Sequence, residues 1–164
     1  MKTRLLLVVH CLELLALAAW VGGLVTIIGA VVPAVFNTVS VEAGGRMLTR
    51  TFQGYDWIVL ISAAVLILGL LIRTRLQTDG GPEIATVEPL LLATMVSIAV
   101  LLVFYLNPAI VKLQEAAFAS KDELAKRSAY VAFFRYHWTA RGLYVANLLL
   151  GVVAICLKAR RGVR

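Results

Sequence analysis

Four stretches of this chain are apolar enough and long enough to read as helices crossing a lipid bilayer. The first runs from Leu5 to Phe36, interrupted by His10 and Glu13. At ~1.5 Å per residue it exceeds a hydrocarbon core of ~30 Å, so it tilts or projects. Pro33 predicts a loss of regular helix near its far end. The second span covers 57–72, with Asp56 as a plausible N-cap and Arg73 and Arg75 closing it. Asp79-Gly80-Gly81-Pro82 then signals a turn. The third covers 89–106, opening on Pro89, which suits a first helical turn, and ending at Asn107-Pro108, a break or kink. The fourth covers 136–157 and stops at Lys158, Arg160, Arg161 and Arg164.

The first and third connections carry a different pattern. Val41, Leu48 and Phe52 fall on one helical face and Arg46 and Arg50 on another. After Pro108, Ile110, Leu113, Ala117 and Phe118 share a face opposite Lys112 and Glu115. Both read as amphipathic helices lying at the membrane interface. Ser120 and Glu123 have capping-box spacing, and Asp122–Lys126 and Glu123–Arg127 are i,i+4 pairs, so a new helix starts there. The predicted fold is all-α: one transmembrane domain over 1–164, a four-helix bundle with amphipathic interfacial helices in the first and third connections. No internal repeat is visible beyond the alternation of spans.

Composition sharpens this picture. Hydrophobic residues make up 61% of the chain and charged residues 15%, with a mean hydropathy of +0.90. A soluble domain this small cannot hide so much apolar surface. The net charge of +7 comes from bases flanking the spans, as membrane anchoring requires, and no nucleic-acid motif accompanies it. Tyr55, Trp57, Tyr105, Tyr136 and Trp138 all fall on one interface if four crossings are made, with both termini opposite. Bases divide equally between the two sides, but those near the termini sit in short flanks, which leans toward cytoplasmic termini. A cleaved signal peptide, suggested by Lys2, Arg4 and Ala16-Leu17-Ala18, fits less well, because His10 and Glu13 interrupt its apolar core and the apolar run continues far beyond.

Ionisable groups at membrane depth are the candidate chemistry. His10 and Glu13 share one face of the first helix. They either sit in the headgroup zone or, if buried, form a His–Glu hydrogen bond able to move a proton. His137 and Arg141 share a face at the start of the fourth span, as interface anchors or as a headgroup site. Cys11 and Cys156, with His10 near, are candidate ligands for a soft metal such as copper, against a plain packing role. His10 and His137 fall on opposite sides of the membrane, too far apart to share a haem or metal. Gly22, Gly23, Thr26 and Gly29 form a small-residue surface suited to helix packing, with Trp20 beside it as wedge or core, and Asn147 is placed to hydrogen-bond across helices. No nucleophile triad, phosphate loop or HExxH zinc motif occurs.

Several short motifs together resemble one family. Trp20-Val-Gly22 followed by Pro33-x-x-Phe36, then Ala43-Gly44-Gly45-Arg46 through Phe52 and Tyr55, is similar to the transmembrane protein 205-like family (domain of unknown function 4149). Asn107-Pro108-Ala-Ile110 resembles its acidic-Pro pattern, with Asn in place of the acid. Phe134-Arg135-Tyr136-His137 followed by Asn147 resembles its entry to the fourth span. The resemblance implies a four-span membrane protein of undefined function. More distantly, a His ahead of a Trp and glycines in the first span is similar to copper-resistance membrane proteins and haem-associated protoporphyrinogen oxidases.

Three functions follow as expectations. The first is a non-enzymatic structural or accessory subunit in the bilayer, as a homo-oligomer or part of a larger complex. The second is a haem- or copper-binding redox or metal-handling protein. The third is an oligomeric transporter in which Glu13 or Arg141 lines the path.

Overall fold

In the computed structural model, residues 2–76 and 87–162 are described. They form α1 (Lys2–Thr26), a π turn (Ile27–Val31), α2 (Val32–Thr38), α3 (Val41–Leu76), α4 (Val87–Leu101), a second π turn (Leu102–Leu106), α5 (Asn107–Ala119) and α6 (Glu123–Gly162). The Asp79–Pro82 turn falls outside the described residues. No strand occurs among the described residues. The segments join into four long apolar helices, Lys2–Thr38, Val41–Leu76, Val87–Ala119 and Glu123–Arg160. The all-α four-helix architecture thus stands, and lipid is the environment its apolar surface requires.

The helices are longer than the apolar pattern suggests. Each has 33–38 residues, or about 50–57 Å, against ~30 Å of hydrocarbon. The amphipathic segments after the first and third spans run on in the same long helical stretches as the spans beside them. Residues 41–54 are the opening turns of α3, because nothing between Val41 and Leu76 breaks a helix. A lone Gly54 costs only about 1 kcal/mol. Asp56 therefore sits mid-helix and caps nothing. These extensions form a stalk on the side opposite the termini, where the hairpins pack on each other. Gln114 Nε2 donates to Thr49 Oγ1 at 3.2 Å, and Arg46 pairs with Glu115 at 3.5 Å. At the start of α6 the cap is Asp122, not Ser120: its carboxylate accepts from the Leu124 and Ala125 amides at 3.3 and 3.2 Å.

Both π turns have the same cause. Pro33 and Pro108 lack an N–H, and their rings press on the carbonyl four residues back. Each helix answers by widening one turn just ahead of its proline. The Val32 amide reaches Ile27 O and the Asn107 amide reaches Leu102 O.

That match is part of a repeat. Glu13 and Glu88, the two π turns, and Pro33 and Pro108 are each 75 residues apart. Buried Trp20, Leu24 and Ile27 have buried Met95, Ala99 and Leu102 at the same offset. In the return helices the offset is 85 residues: Ser62, Leu66 and Arg73 correspond to Asn147, Gly151 and Lys158, all buried. The bundle is two tandem hairpins that face inward with equivalent positions. α1 packs on α3 and α6, and α4 on α6 and α3.

The core is one apolar cluster that includes Leu17, Trp20, Leu24, Val59, Leu66 and Met95. Polar groups are gathered in a layer at each end of it.

Candidate functional site: a buried charge quartet

Each helix of the bundle contributes one charged side chain to the layer on the side of the termini. Glu13 comes from α1, Arg73 from α3, Glu88 from α4 and Lys158 from α6. All four are buried, Glu13 completely. The Arg73 guanidinium donates from Nε to Glu13 Oε1 at 3.1 Å, with Nη2 3.0 Å from the same oxygen. Its other edge forks onto Glu88, Nη1 reaching Oε2 at 3.3 Å and Nη2 pairing with Oε1. Lys158 Nζ closes the ring, donating to Glu13 Oε2 at 2.7 Å and to Glu88 Oε1 at 2.8 Å.

Two carboxylates and two cations sum to zero charge, which is how such groups survive at low dielectric. Each hairpin carries its own Glu–base pair, and the other two contacts cross between hairpins. Gly69 makes room. A Cβ there would lie 2.5–2.8 Å from Oε1, Cδ and Cγ of Glu13, so only glycine lets that side chain lie across α3. A cavity of about 20 Å³ borders Glu88 and Lys158 and is otherwise walled by apolar side chains such as Leu17, Leu92 and Met95. It has room for about one water.

The second layer lies on the stalk side, about 25 Å away along α3 by the 17 residues from Asp56 to Arg73. Both Asp56 oxygens accept from Asn107 Nδ2 at 3.0 Å, and the same nitrogen is 2.9 Å from Tyr144 Oη. Tyr55 is buried and donates to Trp20 O at 2.9 Å. Gly23 allows that approach, since a Cβ there would be 3.1 Å from the Tyr55 ring. Tyr55→Phe is expected to lower stability by about 1 kcal/mol through the lost hydrogen bond, read as a fall in thermal midpoint in detergent.

The structure separates several residues that sequence groups together. Glu13 is paired with Arg73 and Lys158, both from other helices, while His10 is half-buried and takes no part in the quartet. His137 stacks on Phe133, centroids 5.4 Å apart, and Arg141 lies 4.7 Å over the Trp138 ring, so each engages its own helix. Cys11 and Cys156 are both exposed on the outside of the bundle. Trp20 is core, Gly23 packs on Tyr55, and Asn147 donates to Met95 O at 3.3 Å. Gly22, Thr26 and Gly29 face outward, and a Cβ at Gly22 or Gly29 would meet nothing within 4 Å. Trp57, Tyr105, Tyr136 and Trp138 also face outward, whereas Tyr55 faces in. Among the described residues, no three His, Cys, Asp or Glu side chains are grouped to hold a metal.

From sequence, Arg73 and Lys158 read as stops at the ends of spans, and Glu88 falls just before the third span. The signal that finds them is the repeat: a Glu three-quarters of a hundred residues after Glu13 in the same apolar setting, and a base at the matching point of each return helix.

Fold and site together define a helical integral membrane bundle clasped by internal charge. The chain belongs to the family named Domain of unknown function (DUF4149), whose model matches residues 15–119. No curated protein matches it. No solved structure matches it.

Proposed function

We propose that this protein is a non-catalytic membrane scaffold, a structural or accessory subunit whose partner engages its outer surface. The observation that carries this reading is the self-closure of the quartet. Carboxylates that serve transport or proton relay need a path and a moment without a partner. Glu13 and Glu88 are instead saturated by Arg73 and Lys158, and the quartet borders the apolar core cluster of Leu17, Leu66 and Met95. The cavity beside them is water-sized rather than substrate-sized.

The same cations disfavour the haem- or copper-binding alternative at this site, because a guanidinium and an ammonium repel a metal ion. The outward Gly22–Thr26–Gly29 face is where a second transmembrane helix fits closely. Within its family, the Trp20-Val-Gly22 and Asn107-Pro108 motifs support a transmembrane protein 205-like assignment, and the short basic terminal flanks support cytoplasmic termini.

Crosslinking in native membranes at natural expression level, followed by sizing in mild detergent, tests this function. A defined homo-oligomer or complex, with crosslinks from cysteines placed on the Gly22–Gly29 face, is expected. A strictly monomeric chain without partners overturns it.

A further inference from the structure

The outer face of α6 carries a regular series that the bundle leaves uncovered. Leu124, Ser128, Val131, Arg135 and Trp138 follow in alternate steps of four and three residues, and all five are exposed. That spacing is the seam of a left-handed helix pair, so a single partner helix can lie along the whole series. It continues at Gly142, Val145 and Leu149, which are exposed as well.

Lipid accounts for the second part of this series but not for the first. Outward-facing Trp138 marks the stalk-side interface, as Trp57 and Tyr105 do. Lys158 lies twenty residues further on, about 30 Å, which is the thickness of the hydrocarbon. In the other direction Val131 lies about 10 Å and Leu124 about 21 Å beyond Trp138 along the helix, whereas a headgroup layer is only about 5–8 Å deep. Leu124 is 79% exposed and Val131 66%. The stalk therefore holds out two apolar side chains at heptad spacing to water, with polar neighbours around them, the pattern of a protein contact.

Charge identifies what covers them. The open groove along Leu124, Ser128 and Val131 is lined also by Arg127, Arg135 and Tyr136. Arg46 on the stalk has Glu42 and Glu115 as partners, and Lys126 has Glu123 at 3.8 Å. Arg127 and Arg135 have no acid within ion-pair distance among the described residues, since Glu123, one turn before Arg127, goes to Lys126. Two guanidiniums eight residues apart, about 12 Å, beside an apolar stripe are complementary to carboxylates at the same separation. A second copy does not supply these. Copies inserted in one direction would set Arg127 and Arg135 against their own equivalents. An anionic headgroup reaches Arg135 but not Arg127, about 16 Å beyond Trp138.

We propose that the stalk face of α6 docks the water-side extension of a partner's transmembrane helix, one with apolar side chains at heptad spacing and two carboxylates about two turns apart. Leu124, Val131 and Trp138 make the apolar contact, and Arg127 and Arg135 select the acids. Because the series runs on through Gly142 and Val145, the partner's span follows α6 into the bilayer. This interface rests on the scaffold reading and gives its partner a place and a chemistry, on a face separate from Gly22–Gly29.

Photocrosslinking tests it, with p-benzoylphenylalanine placed at Ser128 or Val131 of the full-length protein at natural expression level in native membranes. Sequencing the adduct by mass spectrometry is expected to give a peptide of another membrane protein with Asp or Glu about seven residues apart. Joint charge reversal, Arg127→Glu with Arg135→Glu, lowers the adduct yield about tenfold or more, and Arg127→Lys with Arg135→Lys keeps most of it. Both arginines are exposed, so neither pair of changes disturbs the core. A peptide of this same chain, a lipid adduct alone, a peptide without acids, or a yield unmoved by charge reversal each overturns the proposal. So does the same adduct in equal yield from Met47, which is exposed on α3. Crosslinks confined to the Gly22–Gly29 face refute the α6 interface and leave the scaffold reading standing, whereas none from either face removes both.

Discussion

Arg73→Ala is expected to destabilise the bundle by about 3–5 kcal/mol, because it leaves two buried carboxylates facing one ammonium. Arg73 touches both acids, and its fork onto Glu88 is the broadest contact of the quartet. Its loss removes one contact within the first hairpin and one across to the second. Water cannot easily compensate, since the adjoining cavity holds only about one molecule. Lys in its place keeps the charge but not the two-edged geometry, so Arg73→Lys recovers part of the loss. Reversible unfolding in mixed micelles reads both variants. A loss below 1 kcal/mol for Arg73→Ala would show that the guanidinium is not holding the acids.

Gly69→Ala should cost about 2–4 kcal/mol, although alanine is the better helix former. The added methyl occupies the space of the Glu13 carboxyl, so either α1 moves away from α3 or Glu13 leaves its partners. The contrast is Gly54→Ala in the same helix. Nothing lies within 4 Å of a Cβ there, so that change is neutral or stabilising by up to ~1 kcal/mol. Two glycine-to-alanine changes in one helix with opposite signs are readily separated by thermal midpoint. A neutral Gly69→Ala would contradict the packing of Glu13 across α3.

Much of the architecture was legible in the apolar runs, because a hydrocarbon solvent leaves few alternatives to helices about 20 residues or longer. The helix ends were harder to see. The amphipathic pattern of residues 41–54 specifies a helix with a polar face, but whether that helix lies on the membrane or continues a span depends on what covers its apolar side. Here the other hairpin engages both sides, Gln114 bonding Thr49 and Glu115 and Phe118 meeting Arg46, while Phe52 packs on Tyr144.

Glu13 was visible as a polar interruption within an apolar run. Its partners were not, because bases next to apolar segments usually anchor in headgroups, and Arg73 and Lys158 have that appearance. Only the pairing of hairpins brings them inward. Proximity in sequence also misled: His10 lies one turn from Glu13, yet the acid turns to other helices, where full charges offer a stronger partner than an imidazole.

Asn147 was legible as a hydrogen-bonding residue, and it does donate across to α4. That its carbonyl oxygen stays without a hydrogen-bond partner depends on side-chain packing, which no periodicity encodes.

The clasping of four helices by one charge network is tested most directly by a double-mutant cycle on Glu13→Gln and Lys158→Met. Each single change strands a charge, whereas the double variant leaves Arg73 paired with Glu88 and the layer neutral. A coupling of about 2 kcal/mol or more is predicted, with the double variant no less stable than the worse single one. Additive effects, within about 0.5 kcal/mol, would show that the two side chains do not meet and would contradict the quartet.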